Sequence, residues 1–149
     1  MFETPNYTSE DLKNHYWIAA VIKDNDWKIL LQEHVKYWFW TLPSGKVLPT
    51  QTIEEWLKQE IFEECGIQIQ AYKELIQKDF VYNRKGITVV VKSHIFEITE
   101  YTGEIENKEP NKHKQQKFFT VDEILWLPYL SDLSLLRLQH LGLYRLPKI

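Results

Sequence analysis

A chain of 149 residues, 44% hydrophobic and 26% charged, has the composition of one globular domain, residues 1–149, large enough to bury a core. Its formal net charge of -3 leaves no basic surface for a nucleic acid polymer, and no apolar run approaches the ~20 residues of a membrane span. The single cysteine, Cys65, excludes an internal disulfide and fits a reducing cytoplasm, as does a polar N-terminus without a signal-peptide pattern.

In chain order, Thr8 to Asn14 is expected to form a short helix. Tyr16 to Lys23 and Trp27 to Val35 read as strands flanking the turn-rich triplet Asp24, Asn25 and Asp26, and so as a hairpin. The aromatic run Tyr37 to Trp40 comes next. Such residues serve as core, as flanks of a base-stacking pocket or as a dimer cover, with core the default.

The segment Gly45 to Ile67 carries the densest pattern. Thr52 and Glu55 form a capping box that starts a helix near Ile53, and Gly66 is the left-handed stop that ends it. Within the helix Glu60, Glu63 and Glu64 stand at i, i+3 and i+4, which at ~100° per residue puts three carboxylates on one face. They lie in the last two turns, where the helix dipole disfavours anions, and Lys58 is poorly placed to neutralise all three. A divalent cation would balance them, and Mg²⁺ takes one or two carboxylates together with waters and phosphate oxygens. Taken alone, three glutamates at this spacing are an ordinary solvated face. The glycine loop, box, dipole position and glycine stop in one segment set this helix apart.

Beyond it, Ile67 to Tyr82 and Ile87 to Ile98 are β-rich around the turn Asn83 to Gly86, and Thr88 to Val91 reads as a central strand. Gly103 to His113 is a polar loop carrying Pro110, and Lys117 to Thr120 returns as a strand. Leu133 to Leu143 is an amphipathic final helix, ended by Gly142 or Pro147. Strands first, a crossover helix and a last helix make an α/β (α+β) fold with a mixed sheet between helices.

The central segment resembles the signature of the Nudix (MutT-like) hydrolases: Gly, five residues, Glu, seven residues, Arg-Glu, an aliphatic residue, any residue, Glu-Glu, any residue, Gly, aliphatic. Gly45, Glu60, Ile61, Glu63, Glu64, Gly66 and Ile67 fall on register, and Leu42 and Pro43 fit before the loop. Gln51 and Gln59 replace the first glutamate and the arginine, a supporting ion pair in the family; two amides can hydrogen-bond each other instead.

The resemblance implies a Nudix-type α/β/α sandwich, with Val121 to Leu125 as the short helix after the last strand. It implies a small-molecule nucleotide substrate and hydrolysis of a phosphoanhydride, first of all a nucleoside triphosphate giving monophosphate and pyrophosphate. Diadenosine polyphosphates, near whose marker tyrosine Tyr82 falls, and ADP-ribose are the enzyme alternatives; a non-catalytic nucleotide-binding or interaction module is the other class. Glu60 and Glu64, with the Gly45 carbonyl, would hold Mg²⁺ or Mn²⁺, and Glu63 would be a third ligand or a water-positioning group. Glu109, in a Glu-Pro-x-Lys loop, is the candidate further ligand or base, in competition with Glu97, Glu100, Glu104 and Glu106. Lys46 would contact phosphate or be a solvated turn lysine. Phe118 and Trp126 would stack on a base or be buried. Where relatives carry basic residues toward phosphate, this chain has Glu33 and His34. A homodimer is compatible with the sequence.

Overall fold

The computed structural model describes residues 14–47 and 51–142. Their elements in chain order are β1 (Asn14–Ile22), β2 (Ile29–His34), β3 (Trp40–Thr41), β4 (Ser44–Val47), α1 (Ile53–Cys65), β5 (Gln68–Arg84), β6 (Ile87–Thr102), β7 (His113–Phe119), α2 (Val121–Leu125) and α3 (Asp132–His140). Thr8 to Lys13 of the expected first helix, and Leu143 and Pro147 at the other end, lie outside the described residues. Among the described residues no helix is long and apolar enough to cross a membrane.

β1 is apolar on both faces because helices cover it from both sides. Ile18, Ala20 and Ile22 join a cluster with Trp56, Leu57 and Ile61 of α1. Ala19 and Val21 join a second cluster, with Ile124 of α2 and with Leu136 and Leu138 of α3. All five β1 residues are fully buried, as strand alternation between two covered faces requires. The expected α/β/α layering is present.

The sheet is divided, however. Four strands run in the order β4-β1-β6-β5, mixed because β1 and β6 are parallel, and three more run β3-β2-β7, all antiparallel. The hairpin expected from β1 and β2 does not form: the two share one bridge, Lys23 to Ile29, and then enter different sheets. The turn itself is as read. Asp24 Oδ1 accepts from the N–H groups of Asp26 and Lys28, each at 2.9 Å, which closes the loop without specifying what the strands pair with.

Other boundaries follow their local signals. Thr52 accepts from the Glu55 N–H at 3.1 Å, and Gly66 ends α1 at φ 77°. β5 and β6 are joined through Lys85 and Gly86, both with positive φ as a primed hairpin turn needs, and Asn83 Oδ1 accepts from Gly86. β6 is an interior strand, so Val90 and Val91 are paired on both sides. α2 coincides with the short helix expected, started by a complete capping box between Thr120 and Glu123. α3 ends just before Gly142, at φ 78°.

Candidate active site

Helix α1 buries Trp56, Leu57, Ile61, Glu64 and Cys65. That stripe is the ordinary packing face of an amphipathic helix, and Glu64 stands in it where an apolar side chain belongs. Glu64 is 1% exposed, and neither carboxyl oxygen has a hydrogen-bond partner. Burial, with the charges of Glu109, Glu60 and Glu63 adding to it against the opposing pull of Lys112, pushes its pKa up to about 8. Glu60, half-buried one turn earlier, is raised by burial and by Glu63. Glu63 is exposed and accepts from Gln59 Nε2 at 3.1 Å. The partner of Gln59 is thus a carboxylate of the triad rather than the Gln51 amide, and Lys58 pairs with Glu54, away from the cluster.

His113 is the buried neighbour of Glu64. Its Nε2 lies 3.4 Å from Glu64 Oε1, and the two side chains are 2% and 1% exposed. Burial and the charge of Lys112 push the His113 pKa down to about 3, so at neutral pH imidazole and carboxyl are both uncharged and the contact is no ion pair. Among the described residues no three His, Cys, Asp or Glu side chains are gathered closely enough to hold a metal as they stand. The donor set nevertheless fits a hard cation. Two orphaned, buried carboxyl oxygens, with further carboxylates raising their pKa, are relieved at once by a divalent charge.

Glu109 acts on this cluster directly, raising both Glu60 and Glu64. The loop holds it by accepting at its carbonyl from Lys112 and His113 N–H at 3.0 and 2.9 Å. Of its competitors, Glu97 is taken up in ion pairs with Lys23 and Lys73, at 2.7 and 3.4 Å. Gly45 is a glycine for reasons of packing: a Cβ there would stand 2.7 Å from Cζ2 of Trp56, in the first turn of α1.

A cavity of about 160 Å³ opens between the two sheets. Trp17, Phe39, Phe80 and Tyr82 supply ring faces; Gln32, His34, Lys112 and His113 supply polar groups. His113 and Lys112 belong both to this cavity and to the surroundings of Glu64, so cavity and carboxylates are one site. His34 Nδ1 accepts from the Lys36 N–H at 3.1 Å, and burial holds its pKa down to about 4. The neutral ring therefore carries its proton on Nε2. Gln32 donates to Gln116 Oε1 at 3.2 Å, and its own Oε1 is buried without a partner.

The remaining sequence candidates fall elsewhere. Phe118 packs against the core cluster beside α1, and Trp126, at the end of α2, is 76% exposed; neither lines the cavity, and Trp126 is not buried. Lys46, half-buried, is two residues from the cavity residue Ser44 and so on the same face of β4. Sequence reasoning missed Gln32, His34, Phe80, Lys112 and His113 as site residues. The signals available were Lys112, in the same loop motif as Glu109, and His34, at the hairpin end where relatives carry basic residues toward phosphate.

Among curated proteins, none matches the sequence. Solved structures do match the fold. A MutT NUDIX hydrolase from Burkholderia pseudomallei is 25% identical with a TM-score of 0.69, over 85% of this chain and 97% of that one. A MutT protein from Bacillus halodurans is 23% identical, TM-score 0.69, over 88% and 84%. An Ap4A hydrolase from C. elegans is 16% identical, TM-score 0.59, over 87% and 94%. The sequence pattern of the NUDIX domain matches residues 13–137, which include both sheets and the whole of α1. The chain belongs to the Nudix family and is a Nudix hydrolase of the MutT-like kind.

Proposed function

We propose that the chain is a Mg²⁺-dependent nucleotide pyrophosphatase, with Mn²⁺ able to substitute, that hydrolyses a nucleoside triphosphate to monophosphate and pyrophosphate. The observation that carries this reading is Glu64, a buried carboxyl without a hydrogen-bond partner, sharing His113 with a ring-lined cavity. Glu60 and Glu64, with the Gly45 carbonyl, would hold the cation, and Glu63 would be a third ligand or would position water. Bound there, a divalent cation neutralises phosphate oxygens and lowers the pKa of water.

The protein's own groups supply the rest. Lys112, beside the carboxylates and the cavity, meets the phosphate chain with positive charge, and Lys46 is placed to add to it. Glu109 is the candidate base. The cavity is comparable with the ~150 Å³ that accommodates a benzene ring, so its closed part suits a single base. Phe39, Phe80 and Tyr82, rather than Phe118 and Trp126, are the rings that would contact it. Tyr82 on the cavity wall favours a second reading, a dinucleoside polyphosphate, since the sequence position of this tyrosine resembles that of the diadenosine polyphosphate hydrolases.

Phosphate release with and without added pyrophosphatase, from nucleoside triphosphates, diadenosine polyphosphates and ADP-ribose, tests the proposal. Mg²⁺-dependent turnover that needs pyrophosphatase for colour, and is lost in a folded Glu64→Gln protein, is expected with triphosphates. Silence across the panel, with nucleotide still bound, would replace the enzyme reading by a binding module.

A further inference from the structure

The loop between β6 and β7 is tied around the C-terminal end of α1. A helix leaves its last carbonyls without partners, and here the Glu64 carbonyl accepts from the Lys108 N–H at 3.1 Å and the Cys65 carbonyl from the Glu106 N–H at 2.9 Å. The same loop then fixes both backbone groups of His113. Its N–H donates to the Glu109 carbonyl at 2.9 Å, and its carbonyl accepts from Asn107 Nδ2 at 2.8 Å.

A bulge gives the His113 ring its direction. Glu33 stands opposite Gln115 but His34 opposite His113, so β7 carries one extra residue there, the exposed Lys114. In a regular ladder Lys114 would face His34 and His113 would turn to the other side of the sheet, because a slip of one residue exchanges the faces of a strand. The bulge therefore puts the imidazole inside. It is 2% exposed, edge-on to His34 at 5.9 Å, with Nε2 3.4 Å from Glu64 Oε1. Nδ1 is buried without a hydrogen-bond partner, as are both Glu64 oxygens. With the carboxyl protonated this contact is loose; a carboxylate accepts from an N–H at about 2.7–2.9 Å. Hard cations take oxygen in preference to nitrogen, which leaves the ring a place behind the carboxylate rather than on the metal.

We propose that His113 is the positioning residue of Glu64: its Nε2–H holds one oxygen of the carboxylate and leaves the other turned toward the cation. The inference rests on the hydrolase reading, in which Glu64 is a metal ligand. It adds a residue from outside the helix, aimed by a strand bulge, that sets how tightly the helix binds its cation. Removing such a partner of a metal-binding side chain lowers affinity by about ten- to a hundredfold.

The test is calorimetric titration of Mn²⁺ into the full chain and three variants, with urea midpoints as the measure of folding. His113→Leu should lower Mn²⁺ affinity by about ten- to a hundredfold and unfold no earlier than wild type, since an apolar side chain suits so buried a position. Glutamine places an amide N–H where the imidazole Nε2 stands, whereas asparagine reaches only as far as Nδ1. His113→Gln should therefore restore most of the affinity and His113→Asn should not, a contrast that packing alone would not produce. Pulsed electron paramagnetic resonance of the Mn²⁺-loaded wild type should show no coordinated imidazole nitrogen. Equal affinity in all four proteins, or equal rescue by the two amides, would overturn the role of His113 and leave the hydrolase reading standing. A coordinated nitrogen would overturn it by making His113 a ligand, and a wild type that binds no Mn²⁺ would overturn both.

Discussion

Glu64 occupies a place on α1 that Trp56, Leu57, Ile61 and Cys65 mark as apolar. A carboxyl kept there costs stability through desolvation, and it persists where a cation or substrate repays that cost. The sequence carried this signal: counting four from Leu57 to Ile61 and three to Glu64 puts the glutamate on the buried stripe. The shared face of Glu60, Glu63 and Glu64 was legible for the same reason, since a single helix sets their spacing without help from the rest of the fold. Gly45 makes a different point at the same scale. Its Cβ-less backbone lies under the Trp56 ring, so Gly45→Ala should destabilise the fold by about 1–3 kcal/mol through overpacking. Chemical denaturation measures this, and an unchanged midpoint would show that the ring moves aside freely.

At the scale of elements, α1 was readable end to end because its caps are local, and α2 was placed by the family resemblance, whereas strand partners were not. β1 pairs in parallel with β6, Ile18 opposite His94, far along the sequence, and nothing in the turn at Asp24 distinguishes that outcome from a hairpin. The cavity was hidden for the same reason. Gln32, Phe80, Ser93 and His113 come from β2, β5, β6 and β7 and meet only after both sheets have formed. The two glutamines were visible as departures, but the helix supplied Gln59 with its acceptor: an i to i+4 contact with Glu63. Gln51→Glu combined with Gln59→Arg should therefore keep or raise turnover, because the introduced guanidinium would reach the same Glu63 carboxylate with charge. Steady-state kinetics of the double variant checks this, and a collapse of activity would contradict it.

For the whole molecule, buried titratable groups of opposite kind set the pH dependence of stability. His34 and His113, held down from 6.5 to about 4 and about 3, remain neutral when folded, so the unfolded chain takes up more protons below pH 6.5 and stability falls as pH drops. Glu64, raised from 4.5 to about 8, holds its proton when folded, so stability falls as pH rises from 4.5 through 8. From 4.5 upward the two histidines oppose Glu64, with Glu60, raised in the same direction, adding to it at the lower end, and toward 6.5 stability rises with pH; above 6.5 the histidines no longer act and it declines, at about 1.4 kcal/mol per pH unit for the Glu64 proton. Metal-free protein should accordingly be most stable near pH 6.5, by urea midpoints across the range. Glu64→Gln should remove the alkaline decline and steepen the rise between 4.5 and 6.5, where the glutamate no longer opposes the two histidines.

The most direct measurement is calorimetric titration of Mn²⁺ into the wild-type and Glu64→Gln proteins at about pH 7, in two buffers of different ionisation enthalpy. With α1 as the metal-binding helix, the wild type binds Mn²⁺ and releases up to about one proton as Glu64 ionises, while the folded variant loses both the affinity and the proton. Equal binding by a folded Glu64→Gln protein would contradict the assignment and move the cation away from this helix.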